Sequence, residues 1–486
     1  MDGVLNDHKK VLIVSILFLL LSLSVQSYIW VTGGYNGLDF YAYEYTAKAT
    51  IENDYMWLTL HPTNNLVNPH SPVFIYLLIS LFTVSGSWLT AWIILLFSNA
   101  FIATYFIYKL GFNLSKNNLI ASYATLLFVT IRPDGGYHGL VFPLADVIGL
   151  TFIILTLYFL TLEKPRYYLS SLVVLIGLFS HLYVGASLLL FLIVFVFVRL
   201  MSKEKISFLR KYSLVILSTI PGILYYYYMY TMFKTGGLNF SRGSSSIIES
   251  CLKYYNFMEL PALYGFLHLT FAFVGILLIL GKNKTIMGFL KKYRHSSIFL
   301  WSLLLLIYSQ AFFITNILPN YRFLLHVIIF VSVFGGFGLE RTKKLLSSKL
   351  SKMFFYTVIV LFVFISPIFY NVFAMDSCIK EDEIDVLNYI KENTKEDDVI
   401  FTIGSTALYF SDITGKKIGS SIISSLDFDR FERLFISLDL EQAKHELLKN
   451  DIRYVYLDGK IGENFKKIRD VELLYEKGNY YLFKIY

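Results

Sequence analysis

The stretch PVFIYLLISLFTVSG, residues 72–86, begins with a proline and carries no charge. As a helix its fifteen residues would reach about 22 Å, short of the roughly 30 Å of hydrocarbon in a bilayer. Whether it crosses a membrane decides on which side every later loop lies, so the topology of the chain hangs on it.

That a membrane is involved follows from composition. The 486 residues are 56% apolar and 18% aromatic, with a mean hydropathy of +0.57. A soluble chain of this length needs far more polar surface. Apolar runs occur near 11–31, 88–110, 118–131, 140–162, 167–201, 212–232, 261–281, 296–315, 321–339 and 353–374, and several of them reach the length of a spanning helix. The run 167–201 is too long for one span and breaks at SHLYVG, residues 180–185, into two. Residues 11–31 read as a retained span, because the run is long for a signal peptide and no A-x-A-like site follows it. Asp2 excludes a myristoylation signal.

Charge then settles the question of residues 72–86. If they do not cross and the N-terminus is cytoplasmic, 21 basic residues fall in cytoplasmic loops. The outer loops keep six: Lys48, Arg132, Lys234, Arg242, Lys253 and Arg322. If 72–86 did cross, every later loop would invert and the bias would vanish. The positive-inside rule therefore selects eleven spans, with 72–86 at the outer interface. The expected fold class is a mainly α polytopic membrane protein of about 11 transmembrane helices with a small C-terminal α/β extracytoplasmic domain. Its transmembrane domain covers 1–375, with an outer loop at 32–87, and the outer domain covers 376–486.

The net charge of +8 is unevenly spread. Residues 376–486 hold 16 basic and 22 acidic residues, so the basic excess belongs to the membrane part. It is a topology signal and gives no support to nucleic-acid binding. In this tail EDEIDVLNYIKENT reads as an amphipathic helix with Ile384, Leu387 and Ile390 along one face. DDVIFTIGS and IRYVYLD read as buried strands, DLEQAKHELLKN as a helix between them, and VELLYEKGNYYLFKIY as a terminal hairpin turning at Lys477-Gly478-Asn479. Alternating helices and strands make a small α/β domain. Cys251 and Cys378 both fall outside, where a disulfide and two free thiols are equally open readings. Two cysteines cannot build a Cys-rich zinc framework.

Ionisable residues at or near membrane depth are costly and usually have a partner or a task. Asp39 and Glu44 follow the first span, and Glu52 and Asp54 come slightly later. Asp134 lies in a PDGG turn, where Asp suits the backbone. Asp146 stands one turn inside FPLADVIGLTFIILTLYFL, and Arg322 opens the span LPNYRFLLHVII. A structural Asp146–Arg322 ion pair would explain both. His181 sits in the break of the 167–201 run, where it could cap or bridge helices. His268 and His326, each alone in a span, read as satisfied packing histidines. The YYYYMY cluster at 225–230 reads as an interfacial aromatic belt, with sugar stacking as the alternative.

In this ordered set the chain resembles the GT-C superfamily of membrane glycosyltransferases. The likeness is to the branch of protein O-mannosyltransferases and lipid A aminoarabinose transferases. Asp39 after the first span, PHSPVFIYLL (69–78) in place of a HPPL-like segment, and YKLGF (108–112) carry the first half of the resemblance. LADVIGLTFIILTLYFL (144–160) and PNYRFLLHV (319–327) carry the second. The acidic outer tail is similar to that of archaeal members. Two departures stand out: Asp39 is followed by Phe40 rather than a second carboxylate, and the WWDYG signature of oligosaccharyltransferases is absent.

The resemblance implies a GT-C-like fold and transfer of a sugar from a polyprenyl-phosphate donor to a hydroxyl acceptor at the extracytoplasmic face. It implies Asp39 as general base and Arg322 on the lipid phosphate. Glu44, His70, Asp146 and His181 would be substrate-binding residues. The acceptor class (glycan, lipid or protein) stays open, as does assistance by a divalent metal. Membrane lipids are the other expected partners. Two further readings stand beside it. A non-catalytic scaffold of the same fold would lack a complete carboxylate set. A transporter or flippase for lipid-linked sugars would show internal repeats or paired broken helices, and the sequence carries no such repeat.

Overall fold

The computed structural model describes residues 2–33, 38–52, 59–60, 66–67, 71–131, 145–201, 207–233, 265–281, 288, 293–315, 323–348, 350–351, 353, 355–357, 380–395, 398–403, 410, 413–419, 434–435 and 437–486. The chain divides into two compact units. One comprises Met1–Tyr28, Leu89–Tyr228 and Leu252–Ala374; the other comprises Ile29–Trp88, Met229–Cys251 and Met375–Tyr486.

The membrane part is helical. Its helices are α1 (Asp2–Gly33), α2 (Leu38–Glu52), α3 (Pro72–Ser85), α4 (Trp88–Ser115), α5 (Asn118–Thr130), α6 (Ala145–Thr161) and α7 (Tyr167–Ser180). They continue with α8 (Leu182–Met201), α9 (Ser207–Leu217), α10 (Ile220–Phe233), α11 (Phe266–Gly281), α12 (Tyr293–Thr315) and α13 (Leu324–Leu345). Among the described residues, the segments Asp7–Thr32, Trp88–Ser115, Tyr183–Met201 and Leu324–Leu345 are long and apolar enough to cross a membrane singly. The expected span at 353–374 lies almost wholly outside the described residues.

Local chemistry explains the helix ends. In α3 Pro72 opens the helix, where its missing N–H costs nothing, and Gly86 closes it at φ +70 by donating its N–H to Phe82 O at 2.7 Å. Asn117 caps α5, its side chain accepting from Leu119 N at 2.8 Å. The run expected as one span at 212–232 bends at Ser218 and Thr219, between α9 and α10, within one apolar helical stretch from Tyr212 to Tyr227. Pro221 cannot donate to a continuous helix, and the two hydroxyls return to Val215 O and Ile216 O at 2.7 Å. A further departure lies in the expected loop at 32–87, which contains the helix α2 and a small antiparallel pair, β1 (Thr59–Leu60) with β2 (Leu66–Val67).

In the first unit α13 is the central element, buried from Leu324 to Phe334 and packed against α5 and α11. Glycines allow this. A Cβ on Gly336 would meet Ile120 O at 2.7 Å, and one on Gly338 would collide with the Phe271 carbonyl. Gly275 of α11 lies equally close to the carbonyl of Phe334. Small residues bring helix backbones together where lipid offers no hydrophobic drive. Polar bonds join α4 to α6: Thr151 donates to Asn99 Oδ1 at 2.6 Å, and Asn113 Nδ2 donates to Thr161 O at 2.7 Å. The two contacts rise together along both helices, so α4 and α6 run parallel.

The tail forms a five-stranded mixed sheet. Its strands are β3 (Val399–Thr402), β4 (Lys417–Gly419), β5 (Tyr454–Asp458), β6 (Val471–Lys477) and β7 (Tyr480–Ile485), in the order β4-β3-β5-β7-β6. Strand β3 pairs parallel with β4 and β5; β7 is antiparallel to β5 and β6. Alternate residues face opposite layers. Ile400, Tyr456 and Leu482 pack under the helix Glu381–Asn393, while Phe401, Val455, Leu457 and Phe483 pack with Phe435 and the helix Leu440–Lys449. The hairpin turns at Gly478, φ +56, in agreement with the sequence. The face of the first tail helix is corrected: Glu383, Val386, Leu387 and Ile390 are buried, and Ile384 is exposed. Val386, Leu387 and Ile390 set this face against the sheet, and the Tyr456 hydroxyl satisfies the buried Glu383 with a 3.0 Å bond.

Candidate functional site

Helix α6 begins against the elbow between α7 and α8. A Cβ on Gly149 would lie 3.0 Å from both Ser180 Oγ and Val184 Cβ, so this closeness needs glycine. The elbow itself is His181, in extended backbone at φ −166 and ψ 142. One residue into α8, the Tyr183 ring meets Phe323 edge-on at 5.6 Å, and Phe323 directly precedes α13. Three helix N-termini, of α6, α8 and α13, therefore share one end of this unit. Each presents the positive pole of its dipole.

The predicted residues Asp146 and His181 lie at this end. Asp146 is half-buried in the first turn of α6, and its Oδ1 accepts from Val147 N at 3.0 Å. His181 is buried, its Nδ1 facing Tyr183 N at 3.4 Å and its ring 5.4 Å from that of Tyr183. Phe323, Tyr308 and His326 complete the cluster, with Phe323 ring distances of 5.3 Å to Tyr308 and 6.1 Å to His326. Of these, only His326 was considered from the sequence, and as a packing residue. Its two ring nitrogens have no hydrogen-bond partner among the described residues, which corrects that reading. The signal available in the sequence was proximity: Phe323 is next to Arg322, and His326 is one turn beyond it.

The far ends of α6 and α13 carry basic groups. Lys116 Nζ lies 2.7 Å and Arg294 4.0 Å from Glu163, just past α6. The bond from Lys116, with the Arg294 charge, holds the Glu163 carboxyl below its ordinary range. Lys343, in the last turn of α13, pairs with Asp7 of α1.

Asp39, Glu44 and His70 belong to the other unit. Asp39 is the second residue of α2. Its side chain, His70 and Arg322 all lie outside the described residues, and so do Asp54, Asp134, Cys251 and Cys378. Glu44 is on the buried face of α2 with Phe40 and Ala47, and Lys48 sits 2.9 Å from its carboxylate. Aromatic contacts fix this helix: Phe40 with Trp30 at 4.9 Å and Tyr43 with Phe74 of α3 at 4.7 Å. Among the described residues no three His, Cys, Asp or Glu side chains form a metal-binding group.

No family model matches the sequence, and no curated protein matches it. Solved structures do. The chain is similar to the oligosaccharyltransferase AglB from Archaeoglobus fulgidus, solved with an inhibitory peptide and a dolichol-phosphate. That match has 13% identity over 91% of this chain and 69% of the other, with a TM-score of 0.62. It is similar to ArnT from Cupriavidus metallidurans bound to undecaprenyl phosphate, at 10% identity over 96% and 97% of the two chains and a TM-score of 0.65. The mycobacterial arabinofuranosyltransferase AftD matches at 9% identity over 96% of this chain and 40% of that one, with a TM-score of 0.53. These neighbours are members of the GT-C superfamily, and the chain shares their fold, as the sequence resemblance implied.

Proposed function

We propose that the protein is a membrane glycosyltransferase that moves a sugar from a polyprenyl-phosphate donor to a hydroxyl acceptor at the extracytoplasmic face. The observation that carries this reading is the meeting of three helix N-termini with Asp146 and His181 beside the position of Arg322 in the chain. Such a place favours an anionic headgroup through backbone N–H groups and dipoles. The undecaprenyl phosphate bound to ArnT and the dolichol-phosphate with AglB are ligands of that kind on the same fold.

In the reaction the acceptor oxygen attacks the anomeric carbon while the bond from that carbon to the phosphate oxygen breaks. The acceptor proton passes to Asp39, and the lipid phosphate leaves with the bonding pair. Arg322 forms paired bonds to phosphate oxygens as charge grows on them. Asp146, His181, His70 and Glu44 orient headgroup and acceptor. Direct displacement inverts the anomeric centre. The tail, 376–486, lies on the same extracytoplasmic side, with the basic ends of α6 and α13 toward the cytoplasm.

A scaffold reading draws support from one contact: Lys48 neutralises Glu44 within an apolar face, so Glu44 is poorly placed to serve as the missing second carboxylate. Incubating the purified protein with labelled polyprenyl-phosphate sugars and candidate acceptors separates the two. Transfer that vanishes in Asp39→Asn supports the enzyme; donor binding without transfer supports the scaffold.

A further inference from the structure

Among the described residues the membrane helices contain two deeply buried histidines, His268 and His326, and their surroundings differ. His268 has Thr130 Oγ1 at 2.9 Å from its Nε2. His326, with 0% of its surface exposed, has no hydrogen-bond partner on either Nδ1 or Nε2. Among the described residues it is the one side chain on which two buried polar atoms lack partners. Native folds rarely leave such atoms unpaired, and an exception points to a ligand or water that completes the bonds.

The chemistry of the ring narrows the class of ligand. A neutral imidazole offers one donor and one acceptor. A phosphate oxygen only accepts, so it can satisfy one nitrogen. Hydroxyl groups both donate and accept, and so can satisfy both. The surroundings suit a sugar, since His326 neighbours the Phe323 ring, which in turn meets Tyr183 and Tyr308. In sequence His326 stands four residues after Arg322.

We propose that His326 is a specificity-determining residue that binds sugar hydroxyls on the polyprenyl-phosphate donor, an assignment that rests on the functional reading above. The Phe323 ring stands edge-on to the imidazole at 6.1 Å, an aromatic wall beside the hydroxyl-binding nitrogens.

The test uses the full chain in lipid nanodiscs, titrated with undecaprenyl phosphate, undecaprenyl-phosphate-mannose and undecaprenyl-phosphate-glucose. The wild type should bind one of the sugar-bearing lipids roughly tenfold more tightly than the bare lipid phosphate, the worth of about one hydrogen bond. His326→Phe should lose that preference while binding the bare lipid phosphate as before. His326→Gln, which keeps a donor and an acceptor, should retain part of the preference and serves if the phenyl variant does not fold. The assignment is overturned if His326→Phe keeps the preference, if it loses bare lipid by the same factor, or if the wild type has no preference. Should the wild type bind none of the three lipids, the functional reading itself falls; binding without a His326 effect removes only this assignment.

Discussion

Thr130 Oγ1 lies 2.9 Å from His268 Nε2 and joins the last turn of α5 to the first turn of α11. The same hydroxyl donates to Leu126 O at 2.8 Å, so it accepts from the imidazole, which then carries its proton on Nε2. Thr130→Val keeps the shape and removes the acceptor. It should destabilise the protein by about 0.5–1.5 kcal/mol, the net worth of one hydrogen bond. Thr130→Ser should stay close to the wild type. Thermal unfolding in detergent distinguishes the two; equal melting of Thr130→Val and wild type would show that the bond contributes nothing.

The approach of α11 to α13 leaves no room for a side chain at Gly275 or Gly338. Each would meet a backbone carbonyl, which cannot swing aside as a side chain can. Gly275→Leu or Gly338→Leu should therefore push the helices apart and cost at least the ~1–3 kcal/mol typical of overpacking. The double variant should cost less than the sum, because one separation relieves both clashes. Strict additivity in a melting series would mean that the two contacts are independent.

Much of the helical arrangement was legible from residue patterns, because membrane helices announce themselves by length and apolar composition. The short 72–86 segment, the break at His181 and the tail hairpin at Gly478 each followed from one local rule. Helix α2 was not legible: its sequence mixes aromatic, acidic and small residues, and its buried face contains the Glu44–Lys48 pair. The Ser218–Thr219 bend was hidden in a continuous apolar run, where hydropathy cannot tell a straight helix from a bent one. His181, Asp146 and Phe323 come together through Gly149 and Tyr183, contacts between residues distant in the chain that no local pattern encodes.

In the tail, partial burial pushes the Tyr480 phenol up to about 12, helped by the Glu383 and Asp458 charges. A raised pKa in the folded state means that stability is fully present below the unfolded value, about 10 for tyrosine, and is lost as pH climbs toward about 12. Stability to denaturant should therefore fall across that window, and Tyr480→Phe should flatten the fall. Parallel pH curves for the two proteins would assign the alkaline loss to other groups.

The proposed position of residues 72–86 at the outer interface makes a topological prediction. In a background lacking Cys251 and Cys378, a cysteine at Leu60 should react with a membrane-impermeant maleimide added outside intact cells. One at Leu345 should react only after the cells are opened. Labelling of both from the same side would mean that α3 crosses, and would invert every later loop.

The proposed division of labour between Asp39 and Arg322 predicts opposite kinetic signatures. Asp39→Asn removes the base but keeps size and polarity, so turnover should drop by about 10²–10⁴-fold while donor affinity stays near the wild-type value. Arg322→Lys keeps the charge but loses the paired geometry of guanidinium on phosphate. It should weaken donor binding and slow transfer together, because the same contact serves ground state and leaving group. Equilibrium binding of undecaprenyl phosphate alongside single-turnover transfer separates the two effects. If Asp39→Asn turned over normally, the proton would have to pass to another group, and Asp146 would be the next carboxylate to substitute.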